Sequence, residues 1–189
     1  MLRDLVLRNR SYRRFYEDVP IDRETLKELV DLARLSASAG NKQSLKYILS
    51  SDAVKNASIF PTLAWAGYLK DWHGPPEGER PSAYIVVLRD NDIGDPLGCD
   101  HGIAAQNILL GAVEKGLGGC IIASVNRNEL ADTLRVPSNC EILFVISLGR
   151  PKEEVIVETV GLSEDIEYWR DDSEVHHVPK RSLKDIIIE

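Results

Sequence analysis

Arg8, Arg10, Arg13 and Arg14 surround Asn9, Ser11 and Tyr12 near the start of a chain that is otherwise acidic. The first fifteen residues hold five arginines and one aspartate, a local net charge of +4 against -7 for all 189 residues, which leaves -11 on the other 174. A guanidinium group presents a planar fork of donors that matches phosphate or carboxylate, and a serine among arginines adds a short hydroxyl donor. The cluster therefore points to a small anionic ligand. Arg150 stands in Gly149-Arg150-Pro151 directly after an apolar run. A strand-end arginine of this kind can converge with the Arg-Ser-x-Arg segment on one phosphate, because strand ends and helix termini commonly form ligand sites.

Between these two points lie two segments of small and polar residues, 38–43 and 118–124. Backbone that carries little side-chain bulk suits a flat polar ring that must be approached closely and addressed along its edge. No G-x-G-x-x-G follows a strand pattern, so the dinucleotide fingerprint is absent, and Gly116-Leu117-Gly118-Gly119 is too short for a phosphate loop. The acidic body opposes general nucleic-acid binding, since a phosphate backbone would meet mostly like charge. His176-His177 invites a metal reading, but adjacent side chains in an extended chain point opposite ways and no acidic or thiol cluster joins them; no metal is expected. Cys99, Cys120 and Cys140 form no C-x-x-C pair and read as reduced, mostly buried thiols. Tyr168-Trp169 reads as packing in the tail, whereas Trp65, Tyr68 and Trp72 beside a Gly/Pro-rich excursion are candidates for a substrate wall.

Local patterns predict the elements that must hold these residues. Leu2, Leu5 and Val6 suggest a short opening helix that ends near the basic cluster. Asp22 can cap a helix whose Leu26, Leu29, Val30 and Ala33 recur at helical spacing, with Ile21 stapling against Leu26. Strands are expected at 45–49, 84–88, 120–124 and 143–148, the last stopped by Gly149-Arg150-Pro151. A helical aromatic stretch is expected from 59 to 72. A long helix at 100–115 carries the small residues Ala104, Ala105, Gly111 and Ala112, and Asn126 with Glu129 opens another helix. Mixed helices and strands without a strict βαβ rhythm give an α+β sandwich. The length fits one domain at 1–160, followed by an acidic extension at 161–189 whose Tyr168, Trp169 and Ile186 to Ile188 are expected to dock on the domain or on a partner subunit. No apolar run approaches the roughly 20 residues that span a bilayer and no secretory apolar stretch opens the chain, so no membrane partner and a cytoplasmic location are expected.

Four segments in order resemble the FMN-dependent nitroreductase family: Arg10-Ser11-Tyr12-Arg13-Arg14-Phe15, Ser38-Ala39-Gly40-Asn41-Lys42-Gln43, residues 104–119, and Gly149-Arg150-Pro151. The likeness covers roughly residues 8–151. It implies a central, mainly antiparallel sheet flanked by helices, an intertwined homodimer, FMN as cofactor and NAD(P)H as reductant. It further implies that Arg10, Ser11 and Arg150 hold the flavin phosphate, and that Arg13 reaches the pyrimidine edge of the ring near N1 and the C2 carbonyl. Reduction leaves negative charge there, which a prearranged cation stabilises. Ser38 and Asn41 match the loop used against ring and ribityl, and Ala123 or Ser124 falls where the backbone addresses flavin N5. Two positions depart from the family: Asn9 stands where a second arginine is common, which shifts the grip toward Arg14 or Arg8, and Ser44 replaces a proline. The resemblance implies an oxidoreductase that passes electrons to a small nitroaromatic or quinone acceptor by a ping-pong mechanism, with no catalytic side-chain acid. A flavin-binding module without turnover would carry the same motifs, and a nucleic-acid binder built on the arginines alone is disfavoured by the acidic remainder.

Overall fold

The computed structural model describes residues 1–94 and 98–188. Its centre is an antiparallel sheet in the order β2 (Leu45–Ser50), β3 (Ala83–Asp90), β5 (Cys140–Pro151), with β4 (Gly118–Ile122) and β1 (Phe15–Tyr16) following each other along the far edge of β5. Residues of β3 alternate between two cores, which is why the strand reads as one continuous apolar run. Ile85 and Val87 face α2 (Arg23–Arg34) and α4 (Asp100–Glu114); Tyr84 and Val86 face α3 (Ala53–Ile59) and α5 (Arg127–Leu134). The result is the expected α+β sandwich.

Capping sets several helix starts as the sequence indicates. The Asp22 carboxylate accepts from the Thr25 amide at 2.6 Å, and Asn126 performs the same service for Glu129. The small residues of α4 work within the chain: a Cβ at Gly111 would lie 2.3 Å from Leu32 of α2, so glycine permits the two helices to approach. The opening helix is α1 (Leu2–Arg8).

Two expected elements are corrected. The helix expected at 59–72 lies at Ala53–Ile59, capped by Asp52, whose carboxylate accepts from the Lys55 amide at 2.9 Å. Pro61 falls in a single 3-10 turn, Phe60–Thr62, and the aromatics beyond it occupy irregular chain. Second, Gly149-Arg150-Pro151 does not stop β5. The strand continues because β4 and β1 supply partners on its edge: Gly149 pairs with Gly118, Arg150 with Tyr16, and Pro151, which lacks an N–H, sits at the last position. Cys120 is buried, while Cys140 is half-buried and Cys99 exposed, against the expectation of mostly buried thiols; all three are free.

A second sheet follows. Strand β6 (Val155–Val160) pairs in parallel with β8 (His176–Arg181), which β7 (Trp169–Arg170) joins antiparallel, before the short α6 (Leu183–Ile186). Its first strand thus precedes the boundary expected at residue 160. This sheet packs over the basic cluster through Tyr168, Arg170 and His176.

Candidate functional site

The basic cluster is laid against β4 by backbone contacts. Ser11 bridges Gly119 and the Tyr12 amide donates to the Gly119 carbonyl at 3.1 Å. That approach requires glycine, since a Cβ on Gly118 would stand 2.4 Å from the Tyr12 ring. A groove of about 330 Å³ opens beside this contact, lined by Arg10, Ser11 and Arg13 of the N-terminal segment, Gln106 of α4, Gly119 and Ile121 of β4, Tyr168 just before β7, and His176 and Lys180 of β8. An adjoining recess of about 230 Å³ shares Arg13, Ile121 and Tyr168 with it and adds Trp65, Gly67, Ala123 and Ser124. The peptides at the recess are oriented by two hydrogen bonds: Arg127 donates to the Ala123 carbonyl at 3.2 Å and the Ala64 amide to the Ser124 carbonyl at 2.9 Å.

Arg13 stands where the two cavities meet and is only 8% exposed. Its guanidinium lies 4.7 Å from the Tyr168 ring centroid and donates to His176 Nε2 at 3.2 Å and to the Ser11 carbonyl at 3.3 Å. Below it, the fully buried Glu153 carboxylate accepts from the Arg13 and Arg14 amides and pairs with Arg170 at 3.0 Å. Arg170 in turn covers the Trp72 ring at 4.4 Å. One carboxylate therefore ties the N-terminal segment to the C-terminal sheet. Burial and the neighbouring Arg13 hold the His176 imidazole down at about 4, so it is neutral at pH 7.

Each basic residue has a distinct place. Arg10 lines the groove with a buried Nε that has no partner among the described residues, and its Nη2 donates to the Val6 carbonyl at 2.7 Å. Arg14 is spent on Glu79, reached at 3.0 Å through one Nη, and on Glu174 at 2.7 Å; Arg8 pairs with Asp4. Neither lines the groove. Arg150 is exposed, lies outside the groove lining, and has its guanidinium 5.5 Å from the Tyr16 ring centroid. Lys180 lines the same groove as Arg10 and Ser11, a position sequence reasoning missed. The available signal was Pro179-Lys180-Arg181, a second basic run in the acidic tail. Tyr168, expected only to pack, lines both cavities, as does Trp65 of the aromatic trio for the recess.

Ser38 and Asn41 sit elsewhere in the chain. Ser38 lines a separate cavity of about 160 Å³, with its hydroxyl donating to the buried Asp100 carboxylate at 2.7 Å and accepting from the Gln43 amide at 3.0 Å. Gly40, Asn41 and Gln43 all take positive φ, between 53° and 58°, a conformation costly for the two non-glycine residues. Asn41 is exposed on this strained loop. The Asp100 anchor explains why the loop keeps its shape.

The histidine pair gives the C-terminal sheet a stability optimum in pH. The unfolded chain binds a proton at His176 near 6.5 and the folded one near 4, so stability falls as pH drops through that window, by on the order of 3 kcal/mol. His177 behaves oppositely: its bonds to Glu158 at 2.7 Å and Asp171 at 3.4 Å raise its value, so its contribution is present below 6.5 and fades as pH rises through the raised value. Hydrogen-exchange protection at the β8 amides, each rate taken relative to the unstructured chain at the same pH, is expected to be greatest between these limits and to fall toward pH 4.

Among the described residues, no group of three or more His, Cys, Asp or Glu side chains is placed to hold a metal, and no helix is long and apolar enough to cross a membrane. The nitroreductase family model matches residues 6–72 and 95–150. A curated relative from Archaeoglobus fulgidus, named as a putative NADH dehydrogenase/NAD(P)H nitroreductase, is 30% identical over 149 residues, 75% of this chain and 80% of that protein. Among solved structures, a nitroreductase family protein from Clostridium novyi NT is 26% identical with a TM-score of 0.68, covering 80% of this chain and 86% of that one. An FMN-dependent nitroreductase from Clostridium difficile R20291 is 27% identical with a TM-score of 0.65, covering 79% and 87%. The fold of a Streptococcus pneumoniae TIGR4 nitroreductase family protein spans 100% of both chains at a TM-score of 0.72 and 16% identity, C-terminal sheet included. With the family model covering well over half of its residues, and with that sheet and groove geometry, this chain belongs to the nitroreductase family.

Proposed function

We propose that the protein is an FMN-dependent oxidoreductase that takes hydride from NAD(P)H and passes electrons, in a ping-pong cycle, to a small nitroaromatic, quinone or similar acceptor. The observation that carries this reading is the joined groove and recess, cationic at one end and lined by backbone and rings at the other, in a chain of this family. The name of the A. fulgidus relative and that of a Vibrio harveyi NADPH-flavin oxidoreductase, 39% identical over 56 residues, support the reductant and the flavin.

The residues present fit FMN. Arg10 brings a buried Nε without a partner among the described residues, and Ser11 and Lys180 add a hydroxyl and a second cation; this donor set matches a phosphate monoester. Arg13 supplies a fixed, desolvated positive charge next to the recess, where the ring belongs. FMN would contribute two-electron hydride chemistry at N5. The protein's part is to bind, orient and polarise. Arg13 stabilises negative charge that develops on reduction, and Tyr168 and Trp65 narrow the recess against water. The Ala123 and Ser124 peptides, held by Arg127 and Ala64, present backbone at the reacting edge.

Ser38 and Asn41 belong to this site only if a second copy brings them to it, so the proposal includes a homodimer in which each groove is completed by the partner's 38–43 loop. Exposed Val6 and Leu7 on α1, Ile103 on α4, and Ile186 and Ile187 at the C-terminus offer apolar surface for that contact.

The Arg13→Ala variant is expected to keep part of its FMN and to lower the flavin midpoint potential, read by anaerobic dye titration. A potential equal to that of the unaltered protein removes Arg13 from its role. The function itself is tested by mixing FMN-loaded protein with NADH or NADPH without oxygen: rapid bleaching supports turnover, and a yellow colour that persists identifies a binding module instead.

A further inference from the structure

The imidazole of His176 is 1% exposed, lines the groove, and meets Arg13 through Nε2 at 3.2 Å. Arginine has donors only, so Nε2 must be the acceptor and the ring proton must reside on Nδ1. Around this contact stand the Tyr168 ring, 5.2 Å from the imidazole, the cations Arg13 and Arg170, the buried Glu153 and the neighbouring His177. Nδ1 is itself buried with no partner among the described residues. Backbone pairing leaves the imidazole little freedom: the His176 amide donates to the Glu154 carbonyl at 2.9 Å, and β8 runs beside β6 in register.

We propose that His176, from the C-terminal sheet, is a positioning residue for the flavin site: as a neutral acceptor it fixes the Arg13 guanidinium against the Tyr168 ring. The inference rests on the flavin reading above. It gives the C-terminal sheet a part in setting the flavin's potential without a side chain that takes part in the chemistry. An acceptor on Arg13 from this side also leaves its remaining N–H groups to face the cavities. The lowered pKa of His176 agrees with this role, because an imidazolium there would repel the guanidinium it holds.

The test compares His176→Leu with His176→Gln in FMN-loaded protein, reading midpoint potential and FMN dissociation constant after thermal melts establish folding. His176→Leu is expected to lose about tenfold in the preference for reduced over oxidised flavin, a downward shift of about 30 mV for a two-electron couple. His176→Gln, whose carboxamide oxygen can accept from Arg13, is expected to recover most of it. A folded, yellow His176→Leu protein with unchanged potential overturns the inference and leaves the flavin reading standing, whereas unaltered protein that takes up no FMN overturns both. Imidazole ¹⁵N spectra of the unaltered, FMN-loaded protein need no variant at all. A neutral ring protonated on Nδ1 at pH 7 is expected, and an imidazolium or an Nε2–H tautomer contradicts the proposal.

Discussion

Glu153→Ala is expected to cost about 3–5 kcal/mol of stability, because it leaves Arg170 as a buried cation without its partner. Arg170 and Glu153 expose 10% and 0% of their side chains, so water cannot replace the lost pairing. The same carboxylate accepts from the Arg13 and Arg14 amides, and its removal also leaves two backbone donors without an acceptor. Glu153→Gln keeps an acceptor oxygen and is expected to lose less. Urea unfolding followed by tryptophan fluorescence measures both, since Trp72 lies beneath Arg170. Equal stability of Glu153→Ala and the unaltered protein would show that the C-terminal sheet is not tied to the N-terminal segment through this residue. Surface pairs in the same region, such as Arg8 with Asp4 at 52% and 61% exposure, are expected to be worth well under 1 kcal/mol.

The second large effect concerns cofactor retention. Arg10→Ala is expected to weaken FMN binding by about 10- to 100-fold, corresponding to the 1.5–3 kcal/mol of a charge-assisted hydrogen bond. Lys180→Ala, removing an exposed cation of the same groove, is expected to cost about tenfold. Arg150→Ala is expected to change affinity less than about twofold, a shift of a few tenths of a kcal/mol, because its guanidinium rests over Tyr16 outside the groove. Quenching of FMN fluorescence on titration reads all three. A large loss with Arg150→Ala and none with Lys180→Ala would return the phosphate role to Arg150.

Much of this was legible because local rules and tertiary structure agree. Asp22 and Asn126 cap helices, and Tyr84 to Leu88 form a strand buried on both faces. The Arg-Ser-x-Arg cluster, legible as a concentration of positive charge, comes to line the groove because β4 offers two glycines that let it approach closely. Other features depended on distant partners. Nothing near Gly149-Arg150-Pro151 reveals that β1 and β4 would extend β5 through it, and so carry Arg150 away from the groove. Pro61 was the local sign that a helix could not run through the aromatic stretch, and the periodicity of the rings obscured it. The part played by Tyr168, His176 and Lys180 depends on how β6 and β8 pair in parallel, a non-local register that no short motif specifies.

In the proposed holoenzyme, the groove walled by Arg10, Ser11, Arg13 and Lys180 holds one FMN that cycles with a nicotinamide. The most direct test is the absorbance spectrum of the purified protein, reconstituted with FMN, desalted, and then mixed anaerobically with NADH or NADPH. A yellow protein carrying one FMN per chain is expected, which bleaches on mixing and recovers its colour when a quinone is added. A protein that leaves the desalting column colourless would contradict this expectation.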